Sequence, residues 1–170
     1  RPGDQTGNNV QVGEEVTYEV RLTLPEGSIS NLVVTNFMPA GVAVVCGSAA
    51  MDSSTAFDGT VPSLTASALG CGSGLANNGA DLELALNGMT YVTADGNTNN
   101  NTLIFTFTGV VMNVDGNINN KDLTAKSEAT FAADPDGPIS SGNETVTVKL
   151  PDLAISKAIT QPFGTNSMTV

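Results

Sequence analysis

Residues Val16 to Leu24 read Val-Thr-Tyr-Glu-Val-Arg-Leu-Thr-Leu. Val16, Tyr18, Val20, Leu22 and Leu24 fall on one side of this stretch, and Thr17, Glu19, Arg21 and Thr23 on the other. Successive side chains of a strand point to opposite faces, so this period of two predicts an antiparallel strand with one apolar and one wet face. Pro25-Glu26-Gly27-Ser28 follows as a turn.

The same signal recurs along the chain. Leu32–Asn36 and Val42–Val45 predict short strands on either side of the Met38-Pro39-Ala40-Gly41 turn. Val61–Leu69 is a weak strand, and Leu82–Leu86 reads as strand rather than a helical turn. Leu103–Val111 is the most strand-prone stretch, with Leu103, Phe105 and Phe107 on one face. Leu123–Phe131, Asn143–Leu150 (Val146, Val148 and Leu150 inward) and Asp152–Ile159 complete the set. Seven to nine short strands, frequent turn signals and no helical period predict an all-β antiparallel sandwich. Parallel sheets need crossover helices, and the sequence shows none. The polar stretches Gly72–Gly79, Asp95–Asn101 and Asp115–Asp122 are expected at hairpin ends, because Asn and Asp tolerate left-handed backbone and bond their own main chain.

Composition narrows the chemistry. The 170 residues contain no His and no Trp. Histidine-based hydrolytic triads, His-ligated zinc and haem are thereby excluded, and no enzyme activity is expected. Six Lys and Arg against 17 Asp and Glu give a net charge of -11. Nucleic-acid binding is not expected, because few cations are available to neutralise phosphates. Insertion into a membrane is not expected either, since no apolar run approaches the ~20 residues of a span.

The two cysteines, Cys46 and Cys71, lie in Gly-, Ser- and Ala-rich sequence without zinc-type spacing. Either a disulfide or two free thiols fits. A disulfide is the expectation, and it implies an oxidising compartment. Metal chemistry has one candidate. Asp115, Asn117, Asn119 and Asp122 place side-chain oxygens through one loop, with Asp134 and Asp136 in a second acidic turn, and calcium takes six to eight oxygens. Solvated hairpin turns are the alternative for both. Asn100-Asn101-Thr102 and Asn143-Glu144-Thr145 match the glycosylation acceptor pattern. An exposed cluster of Tyr91 or Phe57 with loop Asp and Asn at one pole would mark a binding face for a glycan or protein.

Four blocks carry a family resemblance. They are Val12-Gly13-Glu14-Glu15-Val16-Thr17-Tyr18, Leu24-Pro25-Glu26-Gly27 with Leu32 to Gly41, Met112-Asn113-Val114-Asp115-Gly116-Asn117 with Leu123, and Pro151-Asp152-Leu153-Ala154-Ile155-Ser156-Lys157. In this order they resemble the immunoglobulin-like conserved-repeat, or isopeptide-forming fimbrial-type, domain of large bacterial surface proteins. The resemblance implies an extracellular structural or adhesive module, partnered by neighbouring repeats or identical subunits, or by a host or surface glycan or protein. The family's isopeptide chemistry needs a Lys, an Asn or Asp and a buried acid. Here Arg21 stands in the early strand, Asn36 replaces the usual Asp, and Lys126 and Lys149 are expected to be ordinary exposed lysines.

These readings divide the chain into a polar N-terminal segment (1–11), a sandwich domain (12–150), and a linker with an opening strand (151–170). That last strand belongs to a following domain or is donated to a neighbouring subunit, through Leu153, Ile155 and Ile159; the alternative is a tail that folds back as an edge strand of its own domain or is disordered. The start at Arg1-Pro2-Gly3 and the end in strand-like sequence at Val170 suggest a segment of something longer.

Overall fold

The computed structural model describes residues 7–52, 57–72, 74–132, 137–151 and 156. Twelve strands form among them: β1 Asn9–Val10, β2 Glu15–Thr23, β3 Gly27–Phe37, β4 Val42–Val44, β5 Ala50–Asp52, β6 Gly59–Thr60, β7 Leu64–Ala68, β8 Leu82–Val92, β9 Thr102–Val111, β10 Asp122–Thr130, β11 Ile139–Ser140 and β12 Glu144–Val148. Five of these are two or three residues long, which leaves seven substantial strands, within the range the sequence predicts. The larger sheet runs β1-β12-β10-β3-β8-β6, with β11 beside β10 and β7 beside β8. The smaller runs β2-β9-β4, with β5 also on β9. The two pack face to face as a β-sandwich around one core.

β9 shows why these residues make these strands. Leu103, Phe105, Phe107 and Val111 turn inward and are at most 2% exposed, whereas the alternate positions Thr102, Ile104, Thr106 and Thr108 are only partly covered. Opposite them, β3 contributes Leu32 and Val34, and β8 contributes Leu82, Leu84, Leu86 and Val92. Each such side chain stabilises the fold by roughly 1.5–3 kcal/mol on burial. β2 pairs with β9 in one unbroken register from Glu15 opposite Val110 to Thr23 opposite Thr102. Its Tyr18 ring stacks on Phe107 with centroids 4.9 Å apart. The ring passes over Gly109, where a Cβ would press on it.

β3 begins at Gly27, earlier than the sequence pattern suggests. Asn31 sits in the left-handed region at φ 53°, and the register with β8 shifts between Ser30 and Leu32. This bulge moves the inward face from the odd-numbered Ile29 to the even-numbered Leu32, Val34 and Asn36. The alternation changes phase there, which conceals the strand's first third.

Three expectations are corrected at the termini of the domain. Asn9 and Val10 do not belong to a separate polar segment: they form β1, and Val10 is buried in the core. Their pairing with β12 is parallel, so the sandwich is not wholly antiparallel. Leu150, expected inward, is exposed, because β12 ends at Val148.

Candidate functional site

The first and last strands of the sandwich lie side by side. Asn9 is opposite Thr147 and Val10 opposite Val148. The Thr147 N–H donates to the Asn8 carbonyl at 2.7 Å and the Lys149 N–H to the Val10 carbonyl at 2.8 Å. The Asn8 side-chain amide adds a bond to the Thr145 carbonyl at 3.1 Å. On its other side β12 is held by β10 and by the loop before it: the Val148 N–H donates to the Lys121 carbonyl and the Asn120 N–H to the Val148 carbonyl, each at 2.8 Å. Past the strand, the Leu150 N–H donates to Asn119 Oδ1 at 3.1 Å, and the Lys149 ammonium reaches Asn120 Oδ1 at 2.6 Å. Asn120 adopts φ 63°, a left-handed conformation that Asn accepts better than most residues.

The proposed calcium residues are thus distributed over separate tasks. Asn119 holds the Leu150 backbone, and Asp122 accepts the Thr147 hydroxyl at 2.7 Å. Asp115 is exposed. Asn117 is only 4% exposed and turns inward, donating to the carbonyls of Gly41 and Met112, each at 2.8 Å. Among the described residues no three acidic or thiol side chains are grouped to hold a metal. Asp134 and Asp136 lie outside the described residues.

Asn117 joins two motifs that the sequence shows far apart. Gly41 stands at φ 108°, and a Cβ on it would overlap the Asn117 side-chain amide. Its N–H donates to Asn78 Oδ1 at 2.6 Å, while its carbonyl receives both Asn117 and the Met112 N–H. The Pro39-Ala40-Gly41 turn and the Asp115-Gly116-Asn117 turn therefore form one lock at the pole where β12 leaves the domain. An Asn two residues after an Asp is, by itself, an ordinary turn signal. Nothing in its spacing reveals that it points into the protein.

Cys46 and Cys71 form the expected disulfide, with Cα atoms 5.5 Å apart. The bond ties the loop after β7 along the outer side of β4. There the Cys46 N–H donates to the Gly74 carbonyl at 2.9 Å, and the Ala76 N–H to the Val44 carbonyl and the Gly79 N–H to the Val42 carbonyl, both at 2.8 Å. β4 is short and fully buried, and this loop covers its edge.

Asn36 is buried and satisfied, donating to the Leu82 carbonyl and accepting the Ser127 hydroxyl at 2.6 Å. Lys126 points away from it, onto Glu128 Oε1 at 2.8 Å and over the Phe37 ring at 4.7 Å. The hydrogen bond from Lys126 holds the Glu128 carboxyl below its usual range. Asp95 is likewise lowered, first by the Asn100 amide and then by the Asn97 N–H. Asn100, the first glycosylation candidate, commits its amide to Asp95 at 2.9 Å, and Asn143 is exposed. Burial raises the Tyr18 hydroxyl above its ordinary 10.0, and that hydroxyl has no hydrogen-bond partner among the described residues. Of the two aromatics proposed for a binding face, Tyr91 is half-exposed while Phe57 packs against the core. Leu153, Ile155 and Ile159, proposed for contact with a neighbour, lie outside the described residues.

No helix among the described residues is long and apolar enough to cross a membrane. No protein-family model matches the chain, and no curated protein matches it in sequence. Solved structures do resemble it. The pilus backbone protein RrgB of Streptococcus pneumoniae is 21% identical over 77% of this chain, with a TM-score of 0.47, and the chain spans 27% of that protein's length. The collagen-binding subdomain ACE19 of the Enterococcus faecalis surface protein ACE is 10% identical over 84% of this chain and 92% of its own, with a TM-score of 0.41. The collagen-binding domain of a Staphylococcus aureus adhesin is 8% identical over 80% of this chain and 88% of its own, with a TM-score of 0.42.

Proposed function

We propose that this domain is a structural module of an extracellular bacterial surface protein or filament, built to carry tension between the segments before and after it. The observation that carries this reading is the parallel pairing of β1 with β12. Tension on the preceding chain draws β1 backward along its own direction, and tension on the following chain draws β12 forward. Because the strands are parallel, the two pulls slide one past the other. The Asn8–Thr147, Val10–Lys149 and Asn8–Thr145 bonds are then loaded together instead of opening in sequence, as they would at a peeled hairpin.

Other features agree with this reading. The disulfide suits a secreted or surface location, where thiols are oxidised. The order of the four sequence blocks resembles that of surface-protein repeats, and Asp152 to Ile159 then serves as the opening strand of the next repeat. A net charge of -11 keeps such a chain soluble and apart from anionic surfaces. Adhesion to a glycan or protein through one pole is the alternative, and it has less support, since Phe57 is turned inward and Tyr91 stands alone as the exposed aromatic of that pair. Surface placement is tested by treating intact source cells with a membrane-impermeant amine reagent. Labelling of Lys121 and Lys149, absent from cytoplasmic control proteins, is the expected result. An unlabelled domain in cells that contain it overturns the surface assignment.

A further inference from the structure

The smaller sheet ends at β2, and the edge it presents is the longest unpaired one among the described residues. Leu24 donates its N–H to the Asn101 carbonyl, in the same register that pairs all of β2 with β9. Thr108, opposite Thr17, instead gives its carbonyl to Val45 on the far side. This phase places the backbone bonds of the even-numbered residues of β2 on β9. The N–H and C=O groups of Glu15, Thr17, Glu19, Arg21 and Thr23 then face outward. By contrast, the disulfide loop covers the edge of β4, and the outermost strands of the larger sheet are two to five residues long.

The core is also incomplete on this side. Leu103, Phe105 and Phe107 of β9 are sealed, but Val16, Tyr18, Val20 and Leu22 of β2 are all partly exposed. They border a groove between the sheets, floored by Asn36 and Val34 and walled by Ala125, Ser127, Ala129 and Ile139. Ile139 is 55% exposed there. A straight edge of nine residues, with no proline and no bulge, over a part-open apolar groove is a template for another strand.

The charge pattern of the edge identifies the occupant. In one chain Arg21 bonds Glu19 on the same face at 2.7 Å, both largely exposed. When two copies of β2 run antiparallel about a twofold axis through Val20, Glu19 of each lies opposite Arg21 of the other, and Thr17 opposite Thr23. All four facing pairs have their backbone groups turned toward each other, at the ~5.5 Å Cα spacing of hydrogen-bonded pairs. The registers shifted by one pair place Glu19 on Glu19 or Arg21 on Arg21, and like charges directly opposite disfavour both. We infer that β2 is a self-association edge, through which two copies of this chain join their smaller sheets into one continuous sheet.

The test is sedimentation equilibrium on the purified chain. The native protein is expected to reach twice its monomer mass with rising concentration, and to dissociate as salt screens the exposed pairs. E19R and R21E each set like charges opposite one another, and each is expected to self-associate about 30-fold more weakly or less. Mixed in equal amounts, the two carry complementary edges and should form a heterodimer, which also shows that both variants are folded. A native chain that is monomeric throughout, or single variants that dimerise as well as it does, would overturn the inference. So would loss of the dimer on deleting residues 151–170, because the occupant would then be the terminal segment.

Discussion

Tyr18 shows how one side chain is fitted to its strand and what the fit costs. Its ring uses the space left by Gly109 and stacks on Phe107, but its hydroxyl reaches no partner among the described residues. A buried hydroxyl without a bond costs about 1–3 kcal/mol, so Tyr18→Phe is expected to raise stability by about 1 kcal/mol in urea unfolding at neutral pH. The raised pKa adds a second signature. The folded state favours the neutral phenol, so its contribution is complete below the unfolded value of about 10 and is lost as pH rises through the folded value. Tyr18→Phe should therefore flatten the alkaline loss of stability. An unchanged alkaline limb would show that this phenol is not what the fold protects. Asn117 differs in its nitrogen: the buried amide donates to two carbonyl acceptors, while its Oδ1 has no hydrogen-bond partner among the described residues. Asn117→Asp sets a carboxylate against the Gly41 and Met112 oxygens, and a loss of about 2–4 kcal/mol is expected. Added calcium should leave that loss in place. If calcium restores the melting temperature, the loop is a cation site.

At the scale of elements, the disulfide closes a loop of 25 residues in separation and holds the chain that covers β4. Loop-closure entropy assigns it about 3.5 kcal/mol. Reduction, or Cys46→Ser with Cys71→Ser, is expected to lower stability by that order and to speed hydrogen exchange first at Val42–Val44. Uniform loss across β9 as well would mean that the bond acts on the unfolded chain alone. The long strands were legible in the sequence because Val16–Leu24 and Leu103–Val111 each keep one inward phase from end to end. The start of β3 was not, since Asn31 shifts that phase. The two- and three-residue strands β1, β5, β6 and β11 escape because two or three residues are too few to show a period. Asn9-Val10 is a strand only because Asn8 and Val10 meet Thr147 and Lys149, a contact spanning nearly the whole domain. The candidate site divides in the same way. The cysteine pair is readable from its context, whereas the spacing of Asn117 and Asn119 offers only calcium ligands or solvated turn residues, and both side chains instead bond the backbone. Whether an Asn in a turn faces water or its own protein depends on which carbonyls the fold brings under it.

For the whole molecule, the sandwich combines a sealed centre on β9 with edges of different character, two of which bear on function. One is closed by the domain's own first and last strands, and the other, at β2, is unpaired among the described residues. The central claim concerns the closed edge: that the domain resists tension because β1 and β12 are pulled in shear. Stretching single molecules held by the two chain ends tests it most directly, comparing the native chain with one lacking residues 1–10. The native domain is expected to unfold in one high-force event, and the shortened chain to unfold at a markedly lower force while keeping its β2–β9 core. Equal unfolding forces for the two would contradict the account, because β1 would then bear none of the tension.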